Sequence, residues 1–226
     1  MVEEVTQETP DVRSFRLKPA EPVAFRPGQH LVMFLDVPQD RVRDFSIASS
    51  PIDEFLLVAT KFREPLSQFK QRMAQLKPGD EVEIKAAFGK FMLQDDMSVP
   101  AVLLAGGIGI TPFISLIKYC TDRKLPLGIT LLYSNRAPDD IAFRRELEEW
   151  ARINQNFRLI STITDDASWP GQKGRIDEAM IRNYVQDLNS IFYICGPPGM
   201  VDGMTALLKG MHIPDDRVRI EKFTGY

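Results

Sequence analysis

The spacing of apolar and polar positions changes along the chain near residue 98. Before that point, short alternating segments predict strands at 2–6, 12–17, 30–37, 43–48, 55–62 and 81–87. A single helical stripe interrupts them at 64–76, with apolar side chains at Leu66, Phe69, Met73 and Leu76. Many short strands with one helix predict a small antiparallel β-barrel.

From residue 99 the pattern alternates between strand and helix. Strands are predicted at 100–105, 128–133, 157–163, 190–195 and 218–220, and helices from 111 onward and at 138–153, 177–185 and 199–209. Repeated strand–helix units indicate a doubly wound parallel sheet. We therefore expect a β-barrel domain over residues 1–97 and an α/β domain over residues 98–226.

The first predicted strand of the α/β half ends in a glycine-rich turn. Gly106, Gly107 and Gly109 are followed by Thr111, which can cap a helix, and Pro112, which suits a first helical turn. Glycines let backbone amides approach a ligand, and a helix start favours phosphate. The turn therefore predicts a dinucleotide site. A tight turn without a ligand remains an alternative, because Pro112 occupies the third glycine position of the G-x-G-x-x-G pattern.

Two further predicted strands end in residues that suit a ligand site. The segment 133–136 reads Y-S-N-R, and 195–199 reads C-G-P-P-G. Ligands of doubly wound sheets lie at the carboxyl ends of the strands, so three such ends favour a nucleotide site. Taken singly, Arg136 could be a solvated loop charge and Cys195 a small core residue.

Composition excludes several classes of function. The 226 residues carry 28 Lys and Arg against 31 Asp and Glu, so no basic excess indicates a nucleic-acid partner. No apolar run has the length of a membrane span, and the acidic start does not resemble a signal peptide. Two cysteines cannot form a four-cysteine metal site, and His30 and His212 stand alone. We expect a cytoplasmic protein without a metal or a membrane partner; its oligomeric state stays open.

Taken in order, these motifs resemble those of the ferredoxin–NADP⁺ reductase family of flavin oxidoreductases, over nearly the whole chain. The segment 43–46, R-D-F-S, is similar to the family's flavin motif R-x-Y-S, and 106–112 is similar to its pyridine-nucleotide loop G-G-x-G-I-T-P. The segments 133–136 and 195–198 resemble its ribose and adenine contact and its nicotinamide edge. The resemblance implies a flavin-binding barrel followed by an NAD(P)-binding α/β domain.

The resemblance also implies roles for individual residues. Ser46 would contact the flavin atom that receives the hydride, Cys195 would border the nicotinamide, and Glu221 would relay a proton; a solvated tail charge is the alternative for Glu221. Outside the motif, Arg43 would be a surface ion pair and Phe45 a core aromatic. The full set of implied cofactor contacts is Arg43, Asp44, Phe45, Ser46, Ala59, Thr60, Ser67, Gly106, Gly107, Gly109, Thr111, Pro112, Ser134, Asn135, Arg136, Cys195, Gly196, Pro197, Phe223 and Tyr226.

The implied function is an NAD(P)H-dependent flavoprotein reductase with bound FAD, FMN being the less favoured flavin. The chain has no plant-type cysteine cluster, so its electron acceptor would be separate: a ferredoxin, a flavodoxin or an oxygenase component. Arg136, with Arg144 and Arg145 nearby, favours NADPH slightly over NADH. Phe45 replaces the family tyrosine, which leaves open a reductase that uses flavin as a diffusible substrate. A nucleotide-sensing subunit without turnover is the third hypothesis.

Overall fold

A computed structural model describes residues 1–223. The N-terminal half contains antiparallel strands and one helix, namely β1 (Val2–Thr9), β2 (Val12–Leu17), β3 (His30–Phe34), β4 (Val42–Ser46), β5 (Leu56–Lys61), α1 (Gln68–Ala74) and β6 (Glu83–Phe88). They form two three-stranded sheets, β1-β2-β5 and β4-β3-β6. Backbone bonding continues from one sheet to the other, since the Ala48 N–H donates to the Leu57 carbonyl at 2.7 Å. Phe15, Leu31 and Phe69 are fully buried in this half.

The C-terminal half is a six-stranded parallel sheet with helices. Its elements are β7 (Ala101–Gly106), α2 (Thr111–Asp122), β8 (Ile129–Asn135), α3 (Arg144–Ile153), β9 (Phe157–Ile163), β10 (Gln172–Lys173), α4 (Glu178–Tyr184), β11 (Ile191–Gly196), α5 (Pro198–Gly210) and β12 (Val218–Lys222). The strand order is β10-β9-β8-β7-β11-β12, and every pairing is parallel. The predicted fold class, antiparallel strands followed by a doubly wound parallel sheet, is confirmed.

The structure corrects several predicted elements. The helix expected at 64–76 is only Gln68–Ala74, because Ser67 caps it and Pro65 stands before the cap. The helix expected at 138–153 is broken: Phe143 has a left-handed backbone with φ of 56°, and α3 begins at the next residue. Strand β10 was not predicted, because its two residues are too few to show the alternation of apolar and polar side chains that marks a strand.

Among residues 1–223, the two halves share one of the three buried apolar clusters, while each of the other two lies within a single half. Val12, Ala48 and Ala59 of the N-terminal half belong to the same buried cluster as Ile108 and Phe113 of the C-terminal half. The connecting segment is also tied to the parallel sheet. The Gln94 N–H donates to the Tyr193 hydroxyl at 3.0 Å, and Arg219 donates to the Met92 carbonyl at 2.8 Å. The turn after β7 and the start of α2 therefore pack against the N-terminal half.

Candidate active site

The glycine-rich turn is a short 3₁₀ segment, Gly107–Ile110, between β7 and α2. The prediction that Thr111 caps the helix is wrong, because Ile110 occupies the cap and Thr111 is already helical. The Thr111 hydroxyl donates instead to the Ile108 carbonyl at 3.1 Å and is fully buried. Pro112 stands in the first turn of α2, as predicted. Thr111 thus stabilises the turn from inside, and its side chain does not reach the surface of the site.

The three glycines of this turn have different roles. A Cβ at Gly109 would overlap the backbone of Cys195 and Gly196, so Gly109 permits close packing against the end of β11. A Cβ at Gly106 would overlap the Met200 sulfur on α5. At Gly107 the backbone has φ of 52° and no atom lies within 4 Å of a built Cβ. Gly107 therefore faces open space where a ligand can approach the backbone.

The end of β8 supports this turn and adds polar groups. The buried Tyr133 hydroxyl donates to the Gly107 carbonyl at 3.0 Å, and burial raises the Tyr133 pKa, so the hydroxyl keeps its proton. Among residues 1–223, neither polar atom of the buried Asn135 side chain has a hydrogen-bond partner of standard geometry, although the amide lies near enough to Tyr133 to interact with it. Ser134 is half-buried and Arg136 exposed. Buried amides are normally paired, so Asn135 is suited to a ligand.

The three residues predicted to be catalytic come together from separate elements. In the pairing of β11 with β12, Cys195 lies opposite Glu221. Ser46, at the end of β4, donates from its hydroxyl to Glu221 Oε2 at 3.4 Å. This contact spans 175 residues of sequence and crosses the boundary between the two halves.

Burial controls the protonation of Glu221 and Cys195. The Glu221 pKa is raised to about 7, chiefly by burial; the Ser46 hydrogen bond opposes this rise and the Asp44 charge adds to it. Burial raises the Cys195 pKa well above its usual value, and the Glu221 charge acts in the same direction, so the thiol stays neutral. The alternative of a solvated tail charge for Glu221 is wrong, since the residue lies in β12 and is mostly buried.

Glu221 also has a route to solvent. Together with Lys90, Phe91, Arg219 and Ile220 it lines a surface cavity of about 340 Å³. A carboxyl group with a pKa near neutrality that contacts both a buried hydroxyl and a cavity can exchange protons with water. The arrangement suits proton delivery to the neighbourhood of Ser46.

The arginine and the aromatic of the segment 43–46 stand two residues apart on the same face of β4, and both lie near the Phe69 ring. The Arg43 side chain is about one-third exposed and forms an ion pair with Asp40 at 3.3 Å. Its guanidinium carbon is 5.7 Å from the centre of the Phe69 ring. Phe45 is turned into the core, where its ring centre is 5.9 Å from that of Phe69. Asp44 is exposed beside them. Phe45 thus serves in part as a core aromatic, which was the alternative for this residue.

A buried lysine that the sequence reasoning missed stands beside this segment. The Lys70 ammonium contacts the Thr60 hydroxyl and donates to the Lys61 carbonyl at 2.9 Å. Burial, and secondarily the Arg43 charge, lower the Lys70 pKa to about 8. Ser67 caps α1 by accepting a bond from the Lys70 N–H at 3.3 Å, and Ala59 is buried next to Thr60. The available signal was the lysine's position on the apolar face of the predicted helix.

Comparison with known proteins identifies both halves. Residues 1–93 match the model of the oxidoreductase FAD-binding domain, and residues 103–206 match that of the oxidoreductase NAD-binding domain. The chain belongs to the ferredoxin–NADP⁺ reductase-like flavin oxidoreductases. The N-terminal half is therefore called the flavin domain below, and the C-terminal half the nucleotide domain.

Relatives of this reductase-like chain include components of oxygenase systems. It is 30% identical to the propane 2-monooxygenase reductase component of Mycolicibacterium smegmatis, over 99% of this chain and 66% of that protein. It is also 30% identical to the glycine betaine monooxygenase reductase subunit of Chromohalobacter salexigens, over 91% of this chain and 58% of that protein. The chain thus spans about two-thirds or less of the length of these curated relatives.

Solved structures agree on the reductase-like fold. The Amycolatopsis cytochrome P450 reductase GcoB superposes with a TM-score of 0.88 at 26% identity, covering 99% of this chain and 68% of that one. A ferredoxin NADP⁺ reductase from Neisseria gonorrhoeae, solved with FAD and NADP, superposes with a TM-score of 0.82 at 22% identity and covers 98% and 96%. The second likeness supports the fold alone.

The residues present fit a flavin and a pyridine nucleotide. In the nucleotide domain, Gly107 offers an open backbone, and Asn135 offers a buried amide that has no hydrogen-bond partner of standard geometry among residues 1–223. In the flavin domain, the Arg43 guanidinium remains accessible, and a guanidinium suits a phosphate group. Among residues 1–223 there is no cluster of three or more His, Cys, Asp or Glu arranged for a metal ion.

The remaining predicted contacts lie around the end of β11. Gly196 is buried, and Pro197 is exposed at the start of α5. The Phe223 N–H donates to the Gly196 carbonyl at 3.0 Å, so Phe223 lies beside the Cys195 turn. Tyr226 lies outside the described residues. Within the described part of the chain, none of the helices has the length and apolar character needed to cross a membrane.

Proposed function

We propose that this chain is a reductase that takes a hydride from NAD(P)H onto FAD and passes electrons to a separate oxygenase component. The observation that carries the proposal is the meeting of Ser46, Cys195 and Glu221 at the boundary between a flavin domain and a nucleotide domain. The names of the relatives, reductase components of monooxygenases, favour an oxygenase component over a ferredoxin or flavodoxin as the acceptor. Consumption of NAD(P)H suits a cytoplasmic location.

In this proposal each domain holds one cofactor. Arg43, Ser46, Ser67 and the buried pair Ala59 and Thr60 would hold FAD, with Asp44 and Phe45 beside them. The nucleotide would lie against the backbone of Gly106, Gly107 and Gly109 and the first turn of α2, between Ser134, Asn135 and Arg136 on one side and Cys195, Gly196 and Pro197 on the other. Phe223 would cover the site. When bound, the two cofactors supply hydride transfer and one-electron release.

The chain itself supplies geometry and a proton. Ser46, which contacts Glu221, would lie at the place where the flavin reacts, and Glu221 holds a proton behind it near neutral pH. The neutral Cys195 thiol adds no charge where the nicotinamide would lie. Excluding water from this boundary strengthens each of these contacts.

We propose NADPH as the preferred coenzyme. Arg144 pairs with Glu148 at 2.7 Å and Arg145 with Glu146 at 3.3 Å, whereas no ion pair involves Arg136 among residues 1–223. An exposed guanidinium at the end of β8 suits a 2′-phosphate. We expect R136A to raise the KM for NADPH about tenfold and the KM for NADH less than twofold. Equal effects on both coenzymes would contradict the preference.

Two experiments separate this proposal from its alternatives. The purified protein should retain flavin through dialysis, and chromatography of the flavin released by heating should identify FAD. Loss of flavin on dialysis would favour a reductase that uses flavin as a substrate, as the missing hydroxyl at Phe45 allows. NAD(P)H oxidation with ferricyanide is then measured with and without added FAD. If NAD(P)H is not oxidised in either case, the result would favour the third hypothesis, a nucleotide-sensing subunit without turnover.

A further inference from the structure

One face of α2 binds the segment that follows the flavin strand β4. The Ser115 hydroxyl donates to the Ser49 carbonyl at 2.6 Å, and both residues are buried to about 1% exposure or less. Ser115 stands one helical turn after Thr111, where the nucleotide turn ends, and Ser49 stands three residues after Ser46. This hydrogen bond therefore joins the helix that follows the nucleotide turn to the segment that follows the flavin strand.

A second contact joins the same two elements. The Lys118 ammonium lies 2.9 Å from Asp53 Oδ1 and 2.6 Å from Asp122 Oδ2. The Asp53 side chain is 12% exposed, so this ion pair is much less screened than one at the surface. Its other oxygen accepts the Ser50 N–H at 2.8 Å, which closes the loop after β4. Lys118 thus holds a loop that is already folded on itself.

The loop is rigid enough to transmit position. The Ser49 hydroxyl accepts the Leu57 N–H at 3.1 Å, and the Ala48 N–H donates to the Leu57 carbonyl at 2.7 Å. On the other side, Ser115 belongs to a 12-residue helix. A displacement of the flavin strand relative to the nucleotide turn would therefore have to break the contacts of Ser115 and Lys118.

We propose that Ser115, Lys118 and Asp53 form a positioning clamp that fixes the distance between the nucleotide turn and Ser46. The proposal rests on the reductase function proposed above. Hydride transfer requires the reacting atoms to lie about 3–3.5 Å apart, and a displacement of about 1 Å can cost on the order of 100-fold in rate. None of the clamp residues is among the predicted cofactor contacts, so they would act through the elements that carry those contacts.

The test compares S115A and K118M with wild type, with S115T as the variant that keeps the hydroxyl. K209M is the control, since Lys209 is an exposed lysine near the end of α5, away from this contact. Hydrogen exchange is first measured on the flavin-free chain, over peptides spanning 47–57 and 106–115. We expect exchange there to rise about fivefold in S115A and K118M and to stay at the wild-type rate in S115T and K209M.

Stopped-flow reduction of the flavin by NADPH is then measured on the loaded protein. We expect the limiting rate to fall about tenfold in S115A and K118M, with NADP⁺ affinity and flavin content within twofold of wild type. S115T should recover most of the rate. A wild-type rate in both S115A and K118M overturns the proposal, and so does unchanged exchange in the two peptides.

The clamp and the reductase function fail in different ways. If S115A does not fold, K118M decides, because the Lys118 side chain is only partly buried and its loss leaves the core intact. If wild type itself binds no flavin and oxidises no NADPH, the reductase proposal fails, and the positioning role is overturned with it. The exchange measurement would in that case still report whether these contacts hold the two domains together.

Discussion

Replacing Glu221 with glutamine tests the electrostatics of the site without any cofactor. Glu221 has a pKa of about 7 in the folded chain against an ordinary 4.5, chiefly because burial disfavours its charged form. The folded state therefore binds this proton more tightly than the unfolded state, and stability falls as the pH rises from about 4.5 to 7. At about 1.36 kcal/mol per pKa unit, the shift of about 2.5 units corresponds to at most about 3.4 kcal/mol.

The glutamine of E221Q has no proton to release in this range, so the unfolding free energy of E221Q should not fall as the pH rises from about 4.5 to 7. We expect E221Q to gain about 2–3 kcal/mol of unfolding free energy relative to wild type between pH 5 and pH 8. Urea unfolding of the flavin-free proteins at pH 5, 6, 7 and 8 measures this difference. E81Q, at an exposed glutamate, is the control and should follow wild type. Parallel stability curves for wild type and E221Q would refute the argument that Glu221 is held protonated by burial.

Three further variants test other parts of the site. G109A should lose about 2–4 kcal/mol of stability, because its Cβ would overlap the Cys195 backbone; a thermal midpoint unchanged from wild type would contradict this. G107A should cost about 1–2 kcal/mol through its left-handed backbone, yet weaken NADP⁺ binding more than G109A does once both are folded. The Lys70 pKa is lowered to about 8, so the folded state releases this proton before the unfolded state does. Wild type should therefore gain stability as the pH rises from about 8 to 10.5, and K70M should not. Urea unfolding of both proteins at pH 8 and pH 10.5 measures the difference, and an equal change in the two would contradict the prediction.

The sequence was most informative where side-chain periodicity or a contiguous motif determines the structure. The change of period near residue 98 predicted both fold halves, and the helix predicted from residue 111 onward buries the apolar side chains of Phe113, Leu116, Ile117 and Cys120. Ser46, Cys195 and Glu221 could be grouped only through the family resemblance, because nothing local indicates that β4 and β12 meet. Their contact depends on a register that forms in the folded chain.

Other features depend on tertiary packing and were not predictable from local sequence. Phe143 takes a left-handed backbone that phenylalanine rarely adopts alone, and its side chain is buried in the shared interior. The three glycines of the turn look alike in sequence, yet only Gly107 faces open space. Thr111 is of a residue type that often caps a helix, but the 3₁₀ segment Gly107–Ile110 precedes it directly. Ile110 therefore occupies the cap position, and Thr111 is the first residue of α2.

The shared interior also determines the cooperative unit of this protein. Val12, Ala48 and Ala59 are core residues of the neighbouring domain as much as of their own, and Tyr193 holds the connecting segment against the sheet. Cutting the chain near residue 98 would expose the apolar surface of this shared cluster on both fragments, so we expect each half alone to be less stable than the whole chain. The halves should melt in one transition, and gene recombination would preserve function only when it moves them as a pair.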